Sequence, residues 1–162
     1  GLGHMGVKFA VSMGAEVTML STSPSKENDA KMLGAHHFAL STDKDQMKAL
    51  RGKFDFILNT VAAKYDLNKF LDLLTVEGKM LLVGIPPEDN ELGSAKLISR
   101  RRSIIGSNVG GIAETQEMLD YCAEHNILSD VEMIQMKDIN EAYTRISNSD
   151  VKYRFVIDMA SM

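Results

Sequence analysis

The sequence has no tryptophan, only three prolines and a single cysteine, Cys122. One cysteine cannot form an internal disulfide, and we therefore expect a reducing compartment and a cytoplasmic protein. Positive charge is not in excess either, because 18 Lys and Arg residues stand against 22 Asp and Glu residues, a net charge of −4. Such a chain has no bulk attraction for nucleic acid or an anionic membrane, and we expect neither as a partner.

Long apolar runs are also missing. No stretch approaches the roughly 20 consecutive apolar residues of a membrane span, and the start of the chain does not resemble a secretory signal. The first residue is glycine rather than methionine, so we expect the chain to be part of a longer polypeptide. Its 162 residues, 44% of them hydrophobic, suit one globular domain with a substantial core.

Segments typical of helices and strands alternate along most of the chain. Helices are predicted at residues 4–13, 26–33, 43–51, 67–74 and 113–124, the second capped by Ser25 and the fourth ended near Gly78. Strands are predicted at residues 16–20, 37–40, 54–61, 79–83 and 103–106. Strands separated by helices at this spacing indicate βαβ units and a mainly parallel sheet, which defines the doubly wound α/β fold class.

The last part of the chain has a different pattern. A strand at 131–136, a short helix at 139–147 and a strand at 153–157 predict α+β elements added to a finished α/β unit. We therefore divide the chain into a Rossmann-type unit at residues 1–128 and a tail at residues 129–162.

The chain opens with GLGHMG, which matches the pattern G-x-G-x-x-G. Glycines permit a sharp turn close to a pyrophosphate, and the helix that follows offers free N–H groups and the positive end of its dipole. The pattern needs a preceding strand to be specific for a dinucleotide. Alternatively, these glycines serve only a tight turn and close packing of a helix on the sheet.

The segment after the second predicted element favours NADP(H) over NAD(H). A dinucleotide-binding domain normally has an acidic residue about 20 positions after the glycines, where it holds the ribose 2′-hydroxyl of NAD. Here the segment reads STSPSK, and the nearest carboxylates, Glu27 and Asp29, fall in the next helix. Hydroxyl groups, a helix N-terminus and an ammonium group suit a 2′-phosphate dianion. A polar turn that only caps a helix is the alternative interpretation.

Six longer strings make a family resemblance specific: GLGHMGVKFA, STSPSK, FDFILNTVAA, IIGSNVGG, ETQEMLDYCAEH and DVKYRFVID. Together they resemble the zinc-dependent medium-chain alcohol dehydrogenases, in the cinnamyl-alcohol-dehydrogenase-like branch that includes bacterial NADP-dependent aldehyde reductases. The resemblance covers essentially the whole chain and matches the family's cofactor-binding, C-terminal half. It aligns Gly1, Leu2 and Gly3 with the end of the family fingerprint, so the literal match through Gly6 is a coincidence of frame.

The resemblance implies an enzyme that interconverts primary alcohols and aldehydes by hydride transfer with NADP(H), using a zinc ion that polarises the carbonyl. The zinc ligands and the catalytic domain would lie outside this chain. We therefore expect no catalytic residue and no metal ligand here, and no activity from the 162 residues alone. The first strand, central in the order 3-2-1-4-5-6, would also lie outside. A homodimer is expected through a sheet edge at residues 97–105.

The resemblance also implies cofactor contacts, residue by residue. Those near the phosphates are Leu2 and Gly3 along the pyrophosphate, Ser21, Thr22, Ser23, Ser25 and Lys26 around the 2′-phosphate, and Arg154 in the last strand. The other contacts are Thr60, Val61 and Ala62 beside the adenosine and nicotinamide riboses, Val83, Gly84 and Ile85 against the nicotinamide, and Ser107, Asn108 and Val109 at its carboxamide. For Arg154, solvent exposure or the neighbouring Lys152 would equally explain the match.

Other candidate sites are weaker. The three histidines His36, His37 and His125 have no Cys, Asp or Glu at metal-ligand spacing, and Cys122 is expected to fill core space. The run RRR at residues 100–102 reads as a solvated approach to the next strand rather than a nucleic-acid face. Asp55 and Asn59 have no partner that would make a hydrolase.

Two further function classes stay open. One is a non-catalytic module that binds NADP(H) and acts as a sensor by changing partners. The other is an S-adenosylmethionine-dependent methyltransferase, which predicts an acidic residue where Ser21 stands. The tail string DVKYRFVID, which matches an enzyme's ending, argues against the sensor.

Overall fold

The computed structural model describes residues 1–148 and 150–162. The helices are α1 (Leu2–Ser12), α2 (Glu27–Met32), α3 (Lys44–Ala49), α4 (Leu67–Leu71), α5 (Ser94–Ile98), α6 (Ile112–Glu124) and α7 (Ile139–Ser147). The strands are β1 (Thr18–Ser21), β2 (His37–Leu40), β3 (Phe54–Asn59), β4 (Leu74–Leu82), β5 (Ser103–Gly106), β6 (Glu132–Gln135) and β7 (Phe155–Asp158). Short 3₁₀ turns occupy Pro24–Lys26, Met136–Asp138 and Met159–Ser161.

All strand pairs are parallel, as the alternating pattern predicts. They form a pair β1-β2, a three-stranded sheet β3-β4-β5 and a pair β6-β7 in the tail. The first two sheets have the strand order of the two halves of a doubly wound sheet. Within the described residues β1 and β3 do not pair with each other.

Two apolar clusters hold the strand ends in place. The larger one joins β3 and β4 to α4, and its buried members are Ile57, Leu67, Leu71, Leu73, Leu74 and Met80. The smaller one joins α1 to α2 through Val7, Ala30, Leu33 and Ala35. Full burial of a side chain such as Leu71 contributes about 1.5–3 kcal/mol to the stability of the fold. The two clusters therefore stabilise the positions of α1 and of the two sheets. Leu20 on β1 packs against the larger cluster.

The predicted helix at 67–74 is too long, and the predicted strand at 79–83 is too short. Helix α4 ends at Leu71, and β4 already begins at Leu74. Gly78 lies inside the strand rather than at a helix end, because an added Cβ would lie 2.9 Å from Leu74 Cβ and 3.1 Å from the Phe54 carbonyl oxygen. The preceding Glu77 has a positive φ of 62°. An apolar run interrupted by one bend therefore looks like a helix in the sequence.

The predicted cap by Ser25 is also wrong. Pro24 starts a tight 3₁₀ turn, and Lys26 rather than Ser25 occupies the N-cap position of α2. The Ser25 hydroxyl instead hydrogen-bonds the Ser23 hydroxyl at 2.8 Å. Proline fixes φ and lacks an N–H. The 3₁₀ turn begins at Pro24, and the α-helix begins directly after this turn.

The prediction that the run RRR is a solvated approach to the next strand is wrong for Arg102. Arg102 is only 7% exposed, and burial lowers the pKa of its guanidinium. Its guanidinium donates to the carbonyl oxygens of Leu74 at 2.6 Å, Lys96 at 3.3 Å and Thr75 at 3.4 Å. Arg102 thereby joins β4 to the segment before β5, a structural role that its sequence neighbours Arg100 and Arg101 on the surface do not share.

The tail is tied to the first helices by contacts distant in sequence. The Lys8 ammonium donates to the Asp130 carboxylate at 3.0 Å and to the Leu128 carbonyl at 2.7 Å. Lys152 pairs with Asp29 on α2 at 2.6 Å. In the described part of the chain, no helix is long and apolar enough to cross a bilayer.

Candidate functional site

The start of α1 lies beside the end of β3. Helix α1 begins at Leu2 with Gly1 at its N-cap, so its first N–H groups and the positive end of its dipole point outward from this end. An added Cβ on Gly3 would lie 3.4 Å from Thr60 Oγ1. The structure therefore places Gly3, predicted at the pyrophosphate, beside Thr60, predicted at the riboses; their contacts with a cofactor stay a prediction.

The loops after β3 and β4 touch each other backbone to backbone. An added Cβ on Gly84 would lie 2.7 Å from the Val61 carbonyl carbon and 2.8 Å from that of Thr60. The N–H groups of Val83 and Gly84 both donate to the Asn59 carbonyl oxygen, at 3.0 and 3.3 Å. Val61, predicted beside the riboses, and Gly84, predicted against the nicotinamide, are thus in backbone contact and form one wall.

The STSPSK turn is held by its own hydroxyl groups. Ser21 Oγ accepts a hydrogen bond from the Ser23 N–H at 3.1 Å, and Thr22 and Ser25 are exposed. The nearest carboxylates are engaged elsewhere: Glu27 pairs with Lys31 at 2.8 Å, and Asp29 pairs with Lys152. Within residues 1–148 and 150–162, Lys26 forms no ion pair, so this turn has a net positive character.

Two cations converge on the start of α1. The charges of Arg154 and Lys26 both act on the backbone nitrogen of Gly1, the N-cap residue of α1. Lys152, which offered another explanation for the match at Arg154, points to Asp29 on α2 instead. The side chain of Arg154 is exposed and makes no ion pair among the described residues. An anion bound at this helix end would therefore face two charges of opposite sign to its own.

His4 joins this corner to the tail, a contact that sequence reasoning missed. The His4 ring is 5% exposed and stacks on Tyr153 at 4.6 Å with an interplanar angle of 19°. Its Nδ1 contacts the carbonyl oxygen of Gly1, and because a carbonyl only accepts, Nδ1 carries the proton. Burial lowers the pKa of His4, which disfavours the charged form of the ring. The stack fixes the residue before Arg154.

The remaining predicted contacts lie on exposed ends. Ala62, Asn108 and Val109 are exposed after β3 and β5, and Ile85 is 84% exposed after β4. The Ser107 N–H donates to the Leu82 carbonyl at 3.0 Å, which ties the end of β5 to β4. These residues form a rim at the same edge of the sheet.

The zinc ion that the resemblance implies does not fit the residues described here. No three His, Cys, Asp or Glu side chains cluster in a metal-binding arrangement within the described ranges. Cys122 is half-buried, and its thiol lies 3.6 Å from the Met118 sulfur.

Residues 1–124 match the family described as zinc-binding dehydrogenase, which is well over half of the chain. The chain belongs to the zinc-binding dehydrogenase family. Among curated members, it is 50% identical over 162 residues to NADP-dependent alcohol dehydrogenase C of Mycobacterium bovis, covering 100% of this chain and 47% of that protein. It is 54% identical over 159 residues to aldehyde reductase YahK of Escherichia coli, covering 98% and 46%. The chain spans about half the length of the curated relatives it matches.

Solved structures of this family have the same fold. A cinnamyl alcohol dehydrogenase from Sorghum bicolor matches with a TM-score of 0.94 and 42% identity over 98% of this chain and 45% of that one. The cinnamyl alcohol dehydrogenase of Helicobacter pylori, complexed with NADP(H), matches with a TM-score of 0.86 and 42% identity over 99% and 46%. The predicted family and the predicted Rossmann-type fold are therefore confirmed.

Two residues at this edge of the sheet, Asn59 and His4, were not predicted from the sequence as parts of the site. Asn59 was examined only as a hydrolase candidate, although an asparagine just before a loop commonly bonds to its own backbone two residues on. That signal could have been read from the sequence. His4 gave no such signal, because its partner Tyr153 is distant in the chain.

Proposed function

We propose that this chain is the NADP(H)-binding half of a zinc-dependent alcohol dehydrogenase or aldehyde reductase. The observation that carries the proposal is the turn after β1, where hydroxyl groups and Lys26 stand and the neighbouring carboxylates pair with other cations. Two relatives of similar identity are named for NADP dependence or aldehyde reduction, which supports the same conclusion. The natural substrates would be small alcohols or aldehydes.

Each group at this edge has a separate task in the proposed mechanism. The first N–H groups of α1, with Lys26 and Arg154, neutralise the cofactor phosphates. The backbone wall of Val61 and Gly84 orients the nicotinamide ring and excludes water from one face. NADP(H), when bound, supplies or accepts the hydride. The chain thus binds and orients, and the polarising metal would belong to the catalytic half.

Replacing Ser21 with aspartate tests the 2′-phosphate assignment. The new carboxylate would repel the 2′-phosphate of NADPH and could accept a hydrogen bond from the ribose hydroxyl of NADH. We expect Ser21→Asp to weaken NADPH binding by roughly tenfold or more, with NADH binding unchanged or tighter. The measurement is a calorimetric titration of the full-length protein with each cofactor.

Ser99→Asp is the matched control for this charge change. Ser99 is exposed just after α5, before the start of β5 and hence at the opposite end of the sheet. It adds the same charge and should leave both affinities unaltered. If Ser21→Asp kept the wild-type preference between NADPH and NADH, the 2′-phosphate would not bind at this turn.

We propose that the tail at residues 129–162 packs on the catalytic half. Helix α7 lies against β6 and buries Ala142. On β6 and β7, Met133 and Val156 are exposed by 61% and 37%. Apolar side chains on a sheet face suit a further protein layer.

The cytoplasmic location also stays a prediction, based on the cysteine content.

A homodimer through the β5 edge is a further part of this proposal. β5 ends the three-stranded sheet in the described residues, and Ile98 and Ile105 beside this edge are 77% and 43% exposed. We expect Ile105→Lys to convert a dimer of the full-length protein into monomers, because a charged edge opposes strand pairing. Sedimentation equilibrium measures the mass. A wild type that sediments as a monomer, or a variant that stays dimeric, would contradict this edge.

A further inference from the structure

Asn59 closes β3 at the point where the two loops of the backbone wall meet. The residue is 6% exposed. Its side-chain Oδ1 accepts a hydrogen bond from the Val61 N–H at 2.9 Å, and its carbonyl oxygen accepts from Val83 and Gly84. One buried residue therefore bonds to the backbone of both loops, with its side chain on one loop and its main chain on the other.

We infer that Asn59 is a positioning residue for the nicotinamide half of NADP(H). The inference rests on the proposed function and deepens it. The bond from Oδ1 to the Val61 N–H turns the chain directly after the strand, as asparagine side chains do in Asx turns. This turn brings the Val61 carbonyl against the Cα of Gly84, where there is no space for even one further carbon.

The wall therefore has little freedom to adjust. If the Val61 N–H loses its acceptor, the loop after β3 relaxes, and the contact with Gly84 changes with it. The start of α1 and the STSPSK turn are held by other hydrogen bonds. We therefore expect the binding of the adenosine half of the cofactor to stay unchanged. Asn59 acts through backbone position and does not itself need to touch the cofactor.

Asn68 offers a matched control because it performs the same chemistry elsewhere. Its Oδ1 accepts from the Gly93 N–H at 2.8 Å, and its Nδ2 donates to the Glu91 carbonyl at 3.0 Å. These bonds hold the far end of the loop that follows β4. Gly93 lies nine residues after Gly84 in the sequence. Asn68→Leu thus removes loop hydrogen bonds without loosening the wall.

The experiment compares two ligands on the full-length protein. NADPH contains both halves, whereas adenosine 2′,5′-bisphosphate contains only the adenosine half. We expect Asn59→Leu to weaken NADPH binding about tenfold, the scale of a buried donor left without a partner, and to change adenosine 2′,5′-bisphosphate binding less than about twofold. Asn68→Leu should change neither affinity, although it lowers the melting temperature. Asn59→Asp should restore NADPH binding, because its carboxyl group still offers an oxygen to the Val61 N–H.

Each outcome decides the matter. An equal loss for both ligands, no loss, or no rescue by Asn59→Asp would overturn the inference. If Asn59→Leu does not fold, Asn59→Ala, which adds no bulk, is held to the same comparison with Asn59→Asp. A wild type that binds neither ligand would instead refute the proposed function, so the two failures are distinguishable.

Discussion

Gly84→Ala is expected to weaken NADPH binding by roughly tenfold to a hundredfold while the protein stays folded. The added methyl group would sit 2.7 Å from the Val61 carbonyl carbon, and a backbone group cannot rotate away as a side chain can. The loops after β3 and β4 must therefore separate, at a cost of about 1–3 kcal/mol for an overpacked contact. A fluorescence titration with NADPH measures the affinity, and circular dichroism checks the fold.

Gly106→Ala is the control for this substitution. An alanine Cβ at Gly106 would meet nothing within 4 Å, and the residue ends β5 at the same edge of the sheet. It should bind NADPH as the wild type does. If Gly84→Ala also bound NADPH normally, the backbone wall would not border the cofactor.

Arg102→Leu is expected to destabilise the protein by about 3 kcal/mol or more. Its buried guanidinium satisfies the carbonyl oxygens of Leu74, Thr75 and Lys96, and leucine would leave all three without this donor. Arg102→Lys should recover only part of the loss, since an ammonium group cannot reproduce the planar fork. Urea unfolding followed by circular dichroism gives the free energy of unfolding.

The exposed neighbour Arg100 provides the comparison for this prediction. Arg100→Leu removes the same charge from the surface and should shift the free energy of unfolding by no more than about 0.5 kcal/mol. Equal stability of Arg102→Leu and the wild type would show that water replaces the guanidinium at these carbonyl groups. The basic run would then be one solvated segment, as its composition alone suggests.

The sequence predicts the order of the elements well because their signals are local. Glycines with positive φ, such as Gly14 and Gly34, end helices where expected, and the strands His37–Leu40 and Ser103–Gly106 have the predicted bounds. The start of β4 was missed because Gly78 has two possible meanings in a sequence. Only its close approach to Leu74 and Phe54 decides between them.

The candidate site was predicted unevenly for a similar reason. The composition of the STSPSK turn is readable without coordinates, since the absence of an acid is visible in the letters. The backbone wall is not readable in this way, because the contact of Val61 with Gly84 joins two loops across the sheet. The burial of Arg102 depends on carbonyl groups 6 to 28 residues away. Contacts of this kind exist only once the tertiary structure has formed.

The contacts that join the tail to α1 and α2 affect when the region around the start of α1 can form during protein synthesis. Lys8 meets Asp130 across a sequence separation of 122 residues, and Lys152 meets Asp29 across 123. His4 stacks on Tyr153, which also lies in the tail. Because contacts this remote carry the largest loop-closure entropy and form late, a nascent chain can assemble its early β-sheets first and completes the region around the start of α1 only once the tail has been synthesised.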